Sequence, residues 1–119
     1  MSLGPEDLRI RTKAFAVRVV RLYKTLPFSA DAPVLGKQLL RCGTSVAANY
    51  RAARRGRSRA EWIAKIGLVV EEADESVFWL EMLSDCGIVA ESRLKELQDE
   101  AHQLSALFTA SQRTARKRS

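Results

Sequence analysis

Four separate stretches of the chain share one rhythm, in which apolar positions recur in alternating steps of four and three residues. Between Glu6 and Leu26 these positions are Leu8, Thr12, Phe15, Val19, Leu22 and Leu26, the spacing of a single sticky stripe along an α-helix. Pro27 and Pro33 in "LPFSADAP" interrupt it, because proline does not fit a helix interior, and Asp31 or Ala32 followed by Pro33 reads as a new start. The second stripe is Leu35, Leu39, Cys42, Val46, Asn49 and Ala53, with Gly56 as its stop. Ser58, with Glu61 three residues on, forms an N-cap for a third helix whose stripe runs Trp62, Ile66, Val69, Ala73, Ser76, Leu80 and Leu83 until Gly87. A fourth helix begins near Ala90 and carries Leu94, Leu97, Ala101, Leu104, Phe108 and Ser111. The predicted fold is all-α, a single antiparallel up-and-down four-helix bundle over residues 1–119. Its helices fall at about 6–26, 32–55, 58–86 and 90–113, with a basic tail, 114–119, read as a frayed end.

One such core leaves apolar residues over. The third helix also carries Ile63, Val70 and Val77, with Phe78, Trp79 and Met82 nearby; the first offers Ile10, Val17 and Val20, the second Leu40, Ala47 and Tyr50. A surplus of this size marks an interface between copies of the chain, unless a wide stripe packs against two neighbours within one bundle. The turn near residue 57 sets Arg41 opposite Ala73, among Glu72, Asp74 and Glu75. This predicts a structural polar network of Arg41, Glu72 and Glu75, with Asn49 on the seam adding register specificity. Cys42 should face position 72, about 21 Å along the helix from Cys86, too far for a disulfide within the chain.

Composition sharpens the picture in one direction. The chain of 119 residues is 46% hydrophobic, enough for one domain with a real core, and carries 20 Lys plus Arg against 14 Asp plus Glu, a formal net charge of +6. The excess is uneven. From Arg41 to Arg59 there are Arg41, Arg51, Arg54, Arg55, Arg57 and Arg59 and no acid, and Arg113, Arg116, Lys117 and Arg118 follow the fourth helix. Arg9, Arg11, Lys13, Arg18, Arg21 and Lys24 populate the first helix, while acids gather in the third and at the start of the fourth. Such segregation suits phosphate backbones, so Arg51, Arg54, Arg55, Arg57, Arg59, Arg113, Arg116, Lys117 and Arg118 are the candidate nucleic-acid contacts; a charged face that only interacts with water is the alternative. With no signature of base-specific recognition, the expected contact is to shape and phosphate. The early charges in "MSLGPEDLRIRTK" and the lack of a long apolar run argue against an export signal or a membrane span, which leads us to expect a cytoplasmic protein with reduced thiols.

Catalytic chemistry finds little support. The acidic cluster Glu71, Glu72, Asp74 and Glu75 lacks the two Glu-x-x-His pairs of a carboxylate-bridged metal bundle; the only histidine is His102, with Asp99 before it. Thr44, Ser45 and Cys42 have no recognisable base, and "RCGTS" lacks the glycine spacing and lysine of a phosphate-binding loop. Small hydroxyl residues in mid-helix instead permit close helix approach. No metal, no cofactor and no enzymatic activity are expected.

The segment Thr44–Leu83, "TSVAANYRAARRGRSRAEWIAKIGLVVEEADESVFWLEML", with an Arg-x-x-Thr-Ser-Val-x-x-Asn-Tyr opening from Arg41, the arginine turn, the Ser58 cap and a Glu-Ala-Asp-Glu-Ser-x-x-Trp-Leu ending, resembles the four-helix-bundle family of 23S rRNA intervening-sequence proteins. The outer helices agree in length and pattern only. The resemblance implies a small bacterial bundle, similar to the accessory proteins of diversity-generating retroelements, which assemble as barrel-like pentamers and engage a reverse transcriptase and nucleic acid. A homopentamer would account for the surplus apolar faces, and five chains would carry roughly +30. The chain departs from the family pattern at Ala52, commonly Glu, and Glu71, commonly Lys. The expected function is a non-enzymatic, homo-oligomeric bundle binding structured nucleic acid, RNA first; the alternative is a scaffold or accessory subunit docking on a reverse-transcriptase-like partner.

Overall fold

A computed structural model describes residues 5–118. Among the described residues there are four helices in order: α1 (Pro5–Lys24), α2 (Ala32–Arg54), α3 (Arg59–Asp85) and α4 (Glu91–Lys117). They form an up-and-down bundle with extents of 48 × 27 × 20 Å. The two 27-residue helices, α3 and α4, account for about 40 Å of its length at about 1.5 Å per residue. α2 packs along α1 and α3, and α3 along α4, whereas α1 meets α4 only briefly.

Each turn has a local cause. At the start of α2, the Ser29 hydroxyl accepts a hydrogen bond from the Ala32 amide (3.2 Å) and donates to Asp31 (2.9 Å), while Pro33 occupies the first turn where no amide partner is needed. Ser58 caps α3 by accepting from the Glu61 amide at 3.1 Å, and the Glu61 carboxylate accepts from the Arg57 amide at 2.6 Å. This is a capping box displaced by one residue. α3 ends in a Schellman arrangement: the Ile88 amide donates to the Leu83 carbonyl (2.9 Å) and the Gly87 amide to that of Ser84 (3.0 Å). Gly87 supplies the required left-handed conformation, with φ of 72°.

The core consists of the expected stripes. Leu8, Phe15 and Val19 of α1, Leu39, Cys42, Val46 and Ala53 of α2, Ile66, Val69, Ala73, Leu80 and Leu83 of α3, and Leu94, Leu97, Ala101, Leu104 and Phe108 of α4 are buried. Thr12 and Ser76 sit in the same seams, their hydroxyls donating back to the carbonyls of Arg9 and Glu72.

Three expectations need correction. Tyr50, assigned to the surplus face, is only 1% exposed, its ring centroid 5.0 Å from that of Phe108 and 6.5 Å from that of Trp62. Asn49, the neighbouring seam position, is half-buried, and its side chain forms no hydrogen bond among the described residues. It therefore stands apart from the Arg41 network, because the larger aromatic ring takes the interior. The start of the predicted tail is helical: α4 runs to Lys117, its last turn carrying Arg116 and Lys117 where cations suit the helix dipole, while Ser119 lies outside the described residues.

Gly43 sets the α1–α2 approach. A Cβ there would stand 2.8 Å and 3.0 Å from the two γ-methyls of Val19, a fully buried branched side chain with no room to turn. Gly43→Ala should therefore lose about 1–3 kcal/mol to overpacking, against a helix-propensity gain of about 1 kcal/mol, and melt below wild type. In Gly67→Ala the new methyl meets only the amide end of Gln112 and displaces its hydrogen bond to the Ile63 carbonyl; that loss of about 1 kcal/mol offsets the propensity gain of about 1 kcal/mol, and melting near wild type and above Gly43→Ala is expected. A calorimetric comparison of the two variants checks this. Thiol labelling tests the packing around α2: Cys86 is exposed, whereas Cys42 is fully buried beside the Ser76 hydroxyl (3.4 Å), and burial pushes its thiol pKa up from the ordinary value. In the native state one thiol per chain should react promptly with a maleimide, and two after denaturation.

Candidate nucleic-acid interface

The antiparallel order of the helices brings the N-termini of α1 and α3 and the C-termini of α2 and α4 to one end of the bundle. Contacts there join the pieces: the Arg59 guanidinium donates to the Arg118 carbonyl at the end of α4, and the Gln112 side-chain amide to the Ile63 carbonyl of α3 at 3.1 Å. Beneath them the rings of Tyr50, Trp62 and Phe108, one each from α2, α3 and α4, close the core.

All nine predicted cations lie at this end and are exposed: Arg51, Arg54, Arg55, Arg57 and Arg59 around the α2–α3 turn, and Arg113, Arg116, Lys117 and Arg118 on the last turns of α4. No ion pair involving any of the nine occurs among the described residues. Arg59 differs from the rest, since its guanidinium already holds the end of α4 and so has a structural task. Arg113, Arg116 and Lys117 line one shallow depression of α4 with Thr109 and Gln112.

A larger groove of about 860 Å³ runs between α1 and α2, on another side of the same end. Arg9 and Lys13 form one wall and Arg51, Arg54 and Arg55 the other; Thr44, Ala47 and Ala48 keep it open because none has a large side chain. Sequence reasoning counted Arg9 and Lys13 only as part of a generally basic helix. The available signal was their spacing of one helical turn, which sets them on a different face from Arg11 and Arg18. Those two turn towards α4: Arg11 grips Glu100 with two hydrogen bonds, 2.6 Å and 3.1 Å, and Arg18 approaches Glu96 at 3.9 Å. Hydrogen bonding to Glu100 raises the pKa of Arg11 above its ordinary value.

Several acids of α3 are occupied elsewhere. Arg41 pairs with Glu75 and with Glu72 (3.4 Å), and Glu75 also accepts from the Trp79 indole at 3.0 Å. With the Arg41 side chain half exposed, such pairs contribute on the order of 0–1 kcal/mol each and chiefly fix the α2–α3 register. The Ser105 hydroxyl donates to Asp74. Ala52 is half-buried and Glu71 exposed, and neither side chain makes a polar contact among the described residues. Of the possible nucleophiles, Cys42 is buried, Ser45 is half-buried, and Thr44, which lines the groove, donates its hydroxyl back to the Leu40 carbonyl at 2.7 Å. Among the described residues no three His, Cys, Asp or Glu side chains converge as metal ligands would, and no helix is long and apolar enough to cross a membrane.

Comparison with known proteins agrees with this architecture. A crystal structure of a protein of unknown function from the S23 ribosomal protein family of Bacteroides thetaiotaomicron superposes with a TM-score of 0.86 at 31% identity, covering 92% of this chain and 97% of that one. Comparison with curated proteins gave no match. The description of the 23S rRNA-intervening sequence protein family is matched by residues 6–110, nearly the whole bundle, and the chain belongs to that family.

Proposed function

We propose that this protein is a non-enzymatic, self-associating bundle that binds structured RNA through phosphate contacts at its basic end. One observation carries the reading: the fold gathers Arg51, Arg54, Arg55, Arg57 and the cations of the last α4 turns at a single end, without ion-pair partners among the described residues, while Glu72, Glu75, Asp74 and Glu100 are engaged with Arg41, Trp79, Ser105 and Arg11. An end of this kind attracts a polyanion by releasing its condensed counterions. The family's name links it to an intervening sequence of 23S rRNA, which makes RNA the first polyanion to test.

Self-association is supported by large apolar side chains that one bundle leaves in water. Ile10 and Val17 on α1 are 62% and 40% exposed, Leu68 and Phe78 on α3 are 41% and 51% exposed. Two unlike faces on different helices favour a head-to-tail contact, which closes into a ring such as a pentamer. The same surfaces would serve the competing reading, a scaffold docking on a reverse-transcriptase-like partner.

Anisotropy titrations with a labelled RNA hairpin at two salt concentrations test the first part. Replacing Arg54, Arg55 and Arg57 by Ala should weaken binding at least tenfold and lower the salt slope by about one for each lost phosphate contact; unchanged affinity removes this patch from the reading. Light scattering tests the second part. The wild type should exceed the 13.3 kDa of one chain severalfold, and Phe78→Asp should reduce the assembled mass while keeping the helical circular-dichroism spectrum.

A further inference from the structure

We infer that the groove between α1 and α2 is the seat of an unpaired stretch of RNA backbone, so that the protein selects single-stranded segments of a folded RNA over its duplex parts. This inference rests on the RNA-binding reading above and gives it a location and a preferred ligand conformation.

The argument begins with charge. Five cations, Arg9, Lys13, Arg51, Arg54 and Arg55, border one concavity whose lining contains no acid among the described residues. Arg9 with Lys13, and Arg51 with Arg55, stand one helical turn apart, where like charges repel. Nothing within the described residues relieves Lys13, Arg51, Arg54 or Arg55 of that repulsion, since none of the four forms an ion pair there. A bound polyanion would.

Shape decides which polyanion. Adjacent packed helices lie about 8–10 Å apart, so a groove between two of them accepts one strand and excludes a double helix, which would touch only its rim. The cations stand on both walls, and a strand laid along the groove meets them on both sides, whereas a flat surface would offer one. The rest of the lining is made of small or buried residues, with Thr12 and Tyr50 each 1% exposed and Ala47 half-buried, apart from Ile10, a 62% exposed apolar residue that the groove shares with the candidate self-association surface. Because the Tyr50 ring is engaged with Trp62 and Phe108, it offers no face for base stacking. The contact is therefore to the sugar-phosphate chain, and binding tolerates any base sequence.

The test uses the full chain, a fluorescein-labelled dodecauridylate and a blunt RNA duplex of the same length, followed by anisotropy at low and moderate salt. Two variants address the groove separately. Lys13→Gln with Arg51→Gln removes charge from both walls at exposed positions; Ala48→Leu fills the groove and leaves every charge in place, with little change in helix propensity. We expect the wild type to bind the single strand at least tenfold more tightly than the duplex. The double variant should lose at least tenfold on the single strand, its salt slope falling by about 1.4, as two lost single-strand contacts imply. Ala48→Leu should lose at least fivefold on the single strand and nothing on the duplex, with both variants melting no lower than wild type. If the wild type binds but both variants bind the single strand as the wild type does, the groove is overturned and the basic-end reading survives. Loss of assembled mass in the double variant with unchanged RNA affinity also overturns it, assigning the groove to a second copy of the chain. If the wild type binds neither probe nor the hairpin at low salt, the RNA-binding reading fails and the groove assignment with it.

Discussion

The aromatic junction of Tyr50, Trp62 and Phe108 holds the basic end in place. Three helices contribute one ring each, in tilted or edge-on contact, and large aromatic surfaces of this kind add specific geometry to the general gain from burial. The junction lies one turn or less from Arg51, Arg54 and Arg59 along the chain, so the cations project from a rigid base. Without it, the α2–α3 turn and the end of α4 would be tied mainly by the exposed contact of Arg59 with the Arg118 carbonyl and by the capping bonds of Ser58 and Glu61. Such exposed bonds are individually weak, and on their own they would let the terminal turns separate and spread the charge they carry.

Above that junction, electrostatics is sorted by helix face. On α1, Arg11 and Arg18 meet Glu100 and Glu96 and stitch the bundle where α1 and α4 have little apolar contact. Lys13, on another face, looks towards the arginines of α2 instead. The same helix therefore carries cations that serve the fold and cations that oppose it. Repulsion between neighbouring like charges is a cost the folded chain bears, and a fold selected for stability alone would interleave acids there. The α2–α3 seam shows that this chain can do so, with Arg41 set against Glu72 and Glu75.

Much of the fold was legible because burial follows a period that the chain repeats four times. The stripes from Leu8 to Val19, Leu39 to Ala53, Ile66 to Leu83 and Leu94 to Phe108 are the core, and the Ser58 and Gly87 boundaries follow from side-chain and backbone chemistry that acts within a few residues. Where three-dimensional competition decides, the reading broke down. Asn49 and Tyr50 are adjacent, both near the seam, and only the space between Trp62 and Phe108 determines that the phenol ring goes in and the amide stays half outside. The end of α4 was misread for a related reason: a run of cations looks like a solvated tail, yet Ala, Arg and Lys are good helix formers and the helix C-terminus favours positive charge. The site was legible as a list of cations but not as a shape, because a groove depends on which faces of α1 and α2 meet, and that is fixed by contacts such as Val19 against Gly43.

The geometry also constrains what self-association could do for binding. The exposed residues Val17, Leu68 and Phe78 lie along the sides of the bundle, whereas the candidate cations lie at one end. Copies joined side by side under cyclic symmetry point the same way, so every basic end would fall on one face of the ring; a dihedral arrangement would divide them between two. Several modest phosphate sites on one face would act on the same strand, and once the first was occupied the others would bind at a high effective concentration. A single basic end would then need only weak affinity of its own, which fits a groove that reads backbone without stacking or base contacts. Under this arrangement, mutations that break the ring would weaken RNA binding without touching a single arginine.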